Sequence, residues 1–210
     1  MRQALKERQG EALQAKLETA CAAVCGLGGL GSAIAVMLAR AGVGRLILID
    51  FDTVDVTNLH RQQYKANQVG LYKTEALAHN LKEIAPYLTI ETHTEKITPD
   101  NAVALLQRAE VICEALDQAQ QKAMLANTVL EKLPGAYFVA ASGMAGLGPA
   151  NHIRTRRISD HFYLCGDTVS DVDSGMGLVA PRVMLCAAHQ ALDALRILAR
   201  PLNITNIMED

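Results

Sequence analysis

Three glycines, two carboxylates and two cations are spaced as if around a nucleotide. Gly26-x-Gly28-x-x-Gly31, with Gly29 inside it, follows the apolar run Cys21-Ala22-Ala23-Val24-Cys25. Glycine lets the backbone approach phosphates, and a helix opening at that point offers them unpaired N–H groups and a partial positive charge. Close packing of a helix on a strand would ask for the same glycines without any ligand. Asp50 ends a second apolar run, Leu46-Ile47-Leu48-Ile49, and follows Gly31 by 19 residues. A carboxylate at that spacing accepts hydrogen bonds from ribose hydroxyls. Arg61 and Lys73 come next, in the company of Asn58, Gln62 and Gln63. Hydride transfer needs no cations there. A triphosphate attacked at its α-phosphate does, because negative charge must be neutralised. Taken singly, each cation is also an ordinary surface charge. Asp117 follows a further apolar run, Val111-Ile112-Cys113-Glu114-Ala115. At the carboxyl end of a strand it can hold a hard cation through oxygen, or cap the helix that follows.

These residues need strands that end where they begin. Strands are expected at about 21–25, 45–50, 88–93, 111–115 and 137–140. Helices are expected from the glycines to about Arg40, then at about 71–84, 98–107 (opened by Thr98-Pro99), 118–132 and 179–199. Residues 2–19 read as one polar helix. Beyond Ser142 the pattern breaks at Gly143, Gly146, Gly148 and Pro149; 151–158 reads as a basic, solvated strand and 160–177 as an acidic loop. Alternating strands and helices predict an α/β fold: a doubly wound, mainly parallel sheet with a Rossmann-like βαβ nucleotide site, an irregular C-terminal tail and a final helix. The chain reads as one domain, with an N-terminal helix (1–20), a nucleotide-binding core (21–142) and a tail with the last helix (143–210).

Composition narrows the classes. The 210 residues are 50% hydrophobic and 4% aromatic, with no Trp, so small and branched aliphatics must fill the core. Lys and Arg number 20 against 22 Asp and Glu, for a net charge of −2, which points to no nucleic acid and no anionic membrane as partner. No apolar run approaches the ~20 residues of a membrane span, and the start (Met1 to Arg8) is charged rather than signal-like. Five irregularly spaced cysteines suit a reduced, cytoplasmic protein.

Gly26-Leu-Gly-Gly-Leu-Gly31, Ile49-Asp50-Phe51-Asp52-Thr53-Val54, Asn58-Leu-His-Arg61-Gln62 and Gly70-x-x-Lys73, in this order, resemble the ThiF/MoeB/HesA family, bacterial relatives of ubiquitin-activating enzymes. Gly166-Asp167, Gly175-Met176-Gly177 and Ala180-Pro181-Arg182 look more like its short ThiF-like branch. The resemblance implies ATP-dependent adenylation of the C-terminal glycine of a ThiS-like, ubiquitin-fold sulfur carrier for thiamine thiazole synthesis. It further implies a nucleotide cradle of Gly26, Gly28, Gly29 and Gly31, ribose binding by Asp50, and phosphate contacts from Asn58, Arg61, Gln62 and Lys73. Asp117 matches the family's acidic residue near Mg2+. Arg8 is the best match to an arginine lent by the partner subunit of a homodimer, or else a solvated helix charge. The apolar face of the last helix also suggests a homodimer. The tail from 143 would carry the carrier-binding surface.

The chain departs from longer relatives in two respects. They hold structural zinc with two Cys-x-x-Cys pairs; none occurs here, so no zinc site is expected. They also carry a reactive cysteine in a crossover loop. Cys165 lies in that region, but Asp160, Asp167, Asp171 and Asp173 would raise its pKa, and a small apolar residue at a strand end is the simpler account. Cys186 reads as core, and His60 as a neighbour of the site rather than a catalyst. Activation of a MoaD-like carrier, ATP-dependent dehydration of a tRNA base, an NAD-binding dehydrogenase and a non-catalytic binding module are the alternatives. The lack of a basic face weakens the tRNA version, and Arg61, Lys73 and Asp117 together speak against a mere scaffold.

Overall fold

The computed structural model describes residues 1–175 and 177–202. Met176 of the Gly175-Met176-Gly177 run and residues 203–210 of the tail lie outside the described residues. The elements in order are α1 (Arg2–Gln9), α2 (Glu11–Thr19), β1 (Cys21–Cys25), α3 (Gly29–Ala41), β2 (Arg45–Ile49), α4 (Lys73–Ile84), β3 (Thr89–His93), α5 (Ala102–Leu106), β4 (Val111–Glu114), α6 (Ala119–Lys132), β5 (Tyr137–Ala141), β6 (Arg154–Ser159), β7 (Phe162–Gly166) and α7 (Ala180–Ala199).

One sheet of seven strands runs in the order β3-β2-β1-β4-β5-β7-β6. All pairs are parallel except β6 with β7, so the expected doubly wound, mainly parallel sheet is what forms. Strand alternation divides the core. Ala22, Val24, Leu46 and Leu48 join one cluster with residues of α3, α4 and α7. Ala23, Cys25, Ile47 and Ile49 join the other with residues of α5 and α6. β1 lies between β2 and β4, so the connections leave it in opposite directions and a crevice opens at its carboxyl end. Cys25 is in register with Ile49 on one side and Glu114 on the other. The segments after Cys25, Ile49 and Glu114 therefore meet at that crevice.

The structure departs from the sequence expectations in four places. The N-terminal helix is two helices, because Gly10 between them has φ 94°, a left-handed backbone that interrupts helical hydrogen bonding. Thr98-Pro99 opens a turn instead of a helix: Asn101 Oδ1 accepts from the Thr98 N–H at 2.8 Å, and α5 starts only at Ala102. The supposed loop 160–177 contains β7, inserted between β5 and β6, because Tyr163 and Cys165 are buried on one face while Phe162 and Leu164 pack on the other. The apolar face of α7 is spent within the chain. Val183, Cys186, Ala187, Gln190, Ala191, Ala194 and Ile197 are buried, at helical spacing, chiefly against α3 and the sheet. That face is thus not a free dimer surface.

Candidate active site

The glycine turn is built by close backbone approach. Gly26 leaves β1 with φ +88°, and a Cβ there would stand 2.6 Å from the Ala115 carbonyl oxygen after β4. A Cβ on Gly31 would collide with the Gly26 carbonyl oxygen. On Gly29 it would lie 2.9 Å from Val183 Cγ1 and 3.4 Å from Arg61 Cγ. These three glycines answer to packing. Gly28 differs: its nearest neighbour would be Gln62 Nε2 at 3.7 Å, so the protein itself leaves that space open. Tyr64 ties the turn down by donating its hydroxyl to the Leu27 carbonyl at 2.7 Å. Ser32 Oγ donates to Gly28 O at 2.6 Å and accepts from the Gln63 N–H at 3.1 Å, which joins the turn to the polar loop.

Asp50 is buried beneath the turn. Its Oδ2 accepts from the Leu27 N–H at 2.6 Å and its Oδ1 from the Asp52 N–H at 2.8 Å. Burial pushes its pKa up, while Lys73 and the two N–H groups pull against that rise. Lys73, the first residue of α4, is buried with Nζ 4.0 Å from Asp50 Oδ2 and 2.7 Å from Asp52 Oδ2. It is brought there because the stretches 52–54 and 70–73 pair: Val54 donates to Leu71 O, Gly70 to Val54 O and Lys73 N to Asp52 O. Asp52 thus joins the site; its signals in the sequence are its place two residues after Asp50 and inside the motif Ile49 to Val54.

The polar loop 52–63 supplies the second cation. Its 3-10 turn, Val56–Asn58, is opened by Asp55, whose carboxylate accepts from the Thr57 N–H. Arg61 Nη2 donates to Asn58 Oδ1 at 2.9 Å, and Nη1 lies 3.3 Å from His60 Nε2. Arg61 Nε is buried with no partner among the described residues, as is the side-chain oxygen of Gln62. Burial lowers the Arg61 pKa. His60 Nε2 also lies 3.3 Å from Leu178 O, so the loop touches the segment leading into α7. His60 thus sits beside the site.

Asp117 follows β4 at the crevice and is exposed. It is not the cap of α6: Gln118 takes that position and no side chain caps the helix. Its loop is pinned by the buried pair Glu114 and Lys122. Glu114, 1% exposed, accepts from Lys122 Nζ at 2.7 and 2.9 Å and from the Leu116 N–H at 2.7 Å. Lys122 also donates to Leu116 O at 2.8 Å. Burial raises the Glu114 pKa against the pull of Lys122. A lone carboxylate in an otherwise apolar strand was the available signal.

Gly26, Gly28, Gly29, Gly31, Asp50, Asn58, Arg61, Gln62 and Lys73 are thus brought together, with Asp117 at the neighbouring strand end. Arg8 is not. It is exposed on α1, which packs on α2. Cys165 is buried in β7, where desolvation raises its pKa strongly. That is the state of an inert core thiol.

A sequence model described as "ThiF family" matches residues 1–208. The chain belongs to the ThiF family. Among curated relatives, this ThiF-family chain is 31% identical over 206 residues to the "Adenylyltransferase and sulfurtransferase MOCS3" of Culex quinquefasciatus, covering 94% of this chain and 46% of that protein. It is 29% identical over 191 residues to the "Adenylyltransferase and sulfurtransferase UBA4" of Lodderomyces elongisporus, covering 88% and 42%. The chain therefore spans less than half the length of these curated relatives. The E. coli tRNA N6-threonylcarbamoyladenosine dehydratase TcdA in complex with ATP matches with a TM-score of 0.85 and 24% identity, over 96% of this chain and 95% of that one. E. coli MccB with ATP matches with a TM-score of 0.69 and 22% identity, over 90% and 58%. These likenesses establish the fold.

No helix among the described residues is long and apolar enough to cross a membrane.

Proposed function

We propose that this chain transfers AMP from ATP to the C-terminal glycine of a ThiS-like, ubiquitin-fold sulfur carrier, in the thiazole branch of thiamine synthesis. The observation that carries the reading is the pair of cations brought to the glycine turn and to Asp50 beneath it. Lys73 lies against Asp50 and Asp52, and half-buried Arg61, which packs against Gly29 of the turn, has an Nε with no partner among the described residues. A dinucleotide site for hydride transfer has no use for both. The names of the curated relatives support adenylyl transfer.

The roles follow from position. Asp50 receives the ribose hydroxyls. The Gly28 region accepts the phosphate chain, with Asn58, Arg61, Gln62 and Lys73 around it. The carrier's carboxylate oxygen attacks the α-phosphorus, and the bond from that phosphorus to the bridging oxygen of the β-phosphate breaks. Pyrophosphate leaves with the electron pair, and the carboxyl is left as a mixed anhydride with AMP. The attacking group is already an anion, so no general base is required. Catalysis is positioning and charge neutralisation. Asp117 fits a hard cation: it is exposed and forms no hydrogen bond or ion pair among the described residues. No group of three or more His, Cys, Asp or Glu among the described residues could hold a metal by itself, so Asp117 and the phosphates would share a Mg2+, which would draw charge from the phosphates. Arg8 would come from the partner subunit of a homodimer.

ATP–pyrophosphate exchange with purified ThiS-like and MoaD-like carriers tests the reading. Exchange driven by the ThiS-like carrier is expected. Exchange with neither, together with tight NAD binding, would overturn it.

A further inference from the structure

A cavity of about 610 Å3 opens beside the first turn of α7. Its lining includes Leu147, His152, Arg154, Arg156, Asp167 and Arg182. Its charge is unbalanced. Arg154 and Arg156 stand two residues apart on β6, and so on one face of the strand, about 7 Å apart along it. Among the described residues Arg154 spends only Nε, on Asn151 O, and Arg156 only Nη1, on Gly166 O. Neither meets a carboxylate among the described residues, whereas Arg157, on the other face, is paired with Asp160. Asp167 is the sole carboxylate of the lining and is saturated: its Oδ1 accepts from Val169 N, Ser170 N and Ser170 Oγ, and its Oδ2 from Arg182. Arg182 is 6% exposed and its Nε has no partner among the described residues.

We propose that this cavity receives an acidic side chain of the protein substrate, on the segment that leads its C-terminal glycine to the nucleotide. This rests on the carrier reading above and adds a specificity to it. Three observations favour such an occupant. The free guanidinium donors of Arg154 and Arg156 match carboxylate oxygens. Leu147 and Val169 line the same cavity and are 72% and 86% exposed, which suits apolar neighbours of that carboxylate better than a hydrated free anion. The cavity also adjoins the nucleotide site through neighbouring residues of the chain. Arg182 lines it while Val183 touches the space at Gly29, and Gly146 N bonds to Gly177 O just ahead of Leu178, whose carbonyl meets His60.

The test uses the full chain and a fluorescein-labelled short peptide ending in Gly-Gly, made with glutamates ahead of the glycines, with glutamines in their place, or with lysines. Polarisation should show the glutamate peptide binding about tenfold more tightly than the glutamine peptide. The doubly substituted Arg154→Glu/Arg156→Glu chain should lose that preference and favour the lysine peptide. Arg154→Gln/Arg156→Gln, which adds no like charges to an edge strand, should lose the preference alone, with circular dichroism checking the fold of both. Equal binding of the glutamate and glutamine peptides to the unsubstituted chain would overturn the proposal. So would a preference that survives both double substitutions. Displacement of every peptide by inorganic phosphate alone, or tighter binding of RNA that the substitutions abolish, would overturn it in favour of those ligands. These measurements need no adenylation, so a failed exchange assay with the peptide preference intact condemns the activity and not the cavity.

Discussion

Removing Lys122 should destabilise the protein by an amount that grows with pH. In Lys122→Met the Glu114 carboxylate, 1% exposed, keeps backbone N–H donors, from Leu116 and Ala141, but no cation to balance its charge. An uncompensated buried charge costs about 3–5 kcal/mol. Protonation limits that cost. Taking up a proton at pH 7 against the ordinary carboxyl pKa of 4.5 costs about 3.4 kcal/mol, at about 1.4 kcal/mol per pH unit. The same arithmetic gives about 2 kcal/mol at pH 6, and at pH 8 the loss reaches the 4–5 kcal/mol of the unpaired charge. Loss of the bond from Lys122 to Leu116 O adds about 1 kcal/mol at every pH. The sign follows from linkage. A carboxyl whose folded pKa is raised contributes stability below its unfolded pKa and loses it as pH rises through the folded value, and removing Lys122 lifts that folded value further. Urea unfolding of the wild type and of Lys122→Met at pH 6, 7 and 8 measures the slope. Glu114→Gln/Lys122→Met, which removes the charge as well, should recover most of the loss at pH 8. A difference that is the same at all three pH values, or a double variant as unstable as the single one, would refute the reasoning.

Other outcomes follow from the same geometry. Gly31→Ala should destabilise the chain by about 3 kcal/mol or more because its Cβ meets the Gly26 carbonyl, whereas Gly28→Ala, with nothing nearer than 3.7 Å, should melt like the wild type yet bind ATP more weakly; thermal melts and nucleotide titration separate the two. Lys73→Ala should cut pyrophosphate exchange about 10²–10³-fold, the usual worth of a group that stabilises developing charge. Mixing it with Arg8→Ala should restore about a quarter of wild-type exchange, because half of randomly mixed dimers would hold one intact site; no recovery would sink the role of Arg8 in trans. Asp167→Asn should cost about 1–2 kcal/mol at pH 7. The carboxyl pKa lies at about 2, where burial, which raises it, is outweighed by the Ser170, Val169 and Arg182 donors, so the difference should vanish as pH falls from about 4 through 2 in urea titrations.

What was legible in the sequence was mostly what is local. β1 and β2 declare themselves as apolar runs broken by glycine and aspartate, and the helices between them by period. Gly26, Asp50 and Asp117 could be placed because each follows a strand within a few residues, and parallel strands put all such ends on one edge. β7 escaped because Phe162-Tyr163-Leu164-Cys165 is apolar on both faces, has no alternation and is flanked by aspartates that make the whole stretch look like a loop. Gly10 gave no warning that its backbone would turn left-handed, since an isolated glycine inside a polar helical pattern is tolerated. The ion pairs were illegible for another reason. Lys73 with Asp52, Lys122 with Glu114 and Arg182 with Asp167 join residues well apart in the chain, and only the folded sheet makes them neighbours.

The glycine turn carries two kinds of constraint that a sequence pattern cannot separate. Gly26, Gly29 and Gly31 are explained by the atoms of Ala115, Val183 and the turn itself, so a protein with no nucleotide would need them as much. Their presence argues for a tight strand-to-helix junction and says nothing of chemistry. Gly28 is the position at which no neighbouring atom demands glycine, and the residues packed beside this part of the turn, Gln62 against Gly28 and Arg61 against Gly29, each leave a buried polar atom unsatisfied among the described residues. Buried polar atoms without partners are costly, about 1–3 kcal/mol each, and are kept where a ligand completes them. The case for a bound polyphosphate therefore rests less on the glycine motif than on the coincidence of one unneeded glycine with two unfinished hydrogen-bonding groups and a lysine held ready by Asp50 and Asp52.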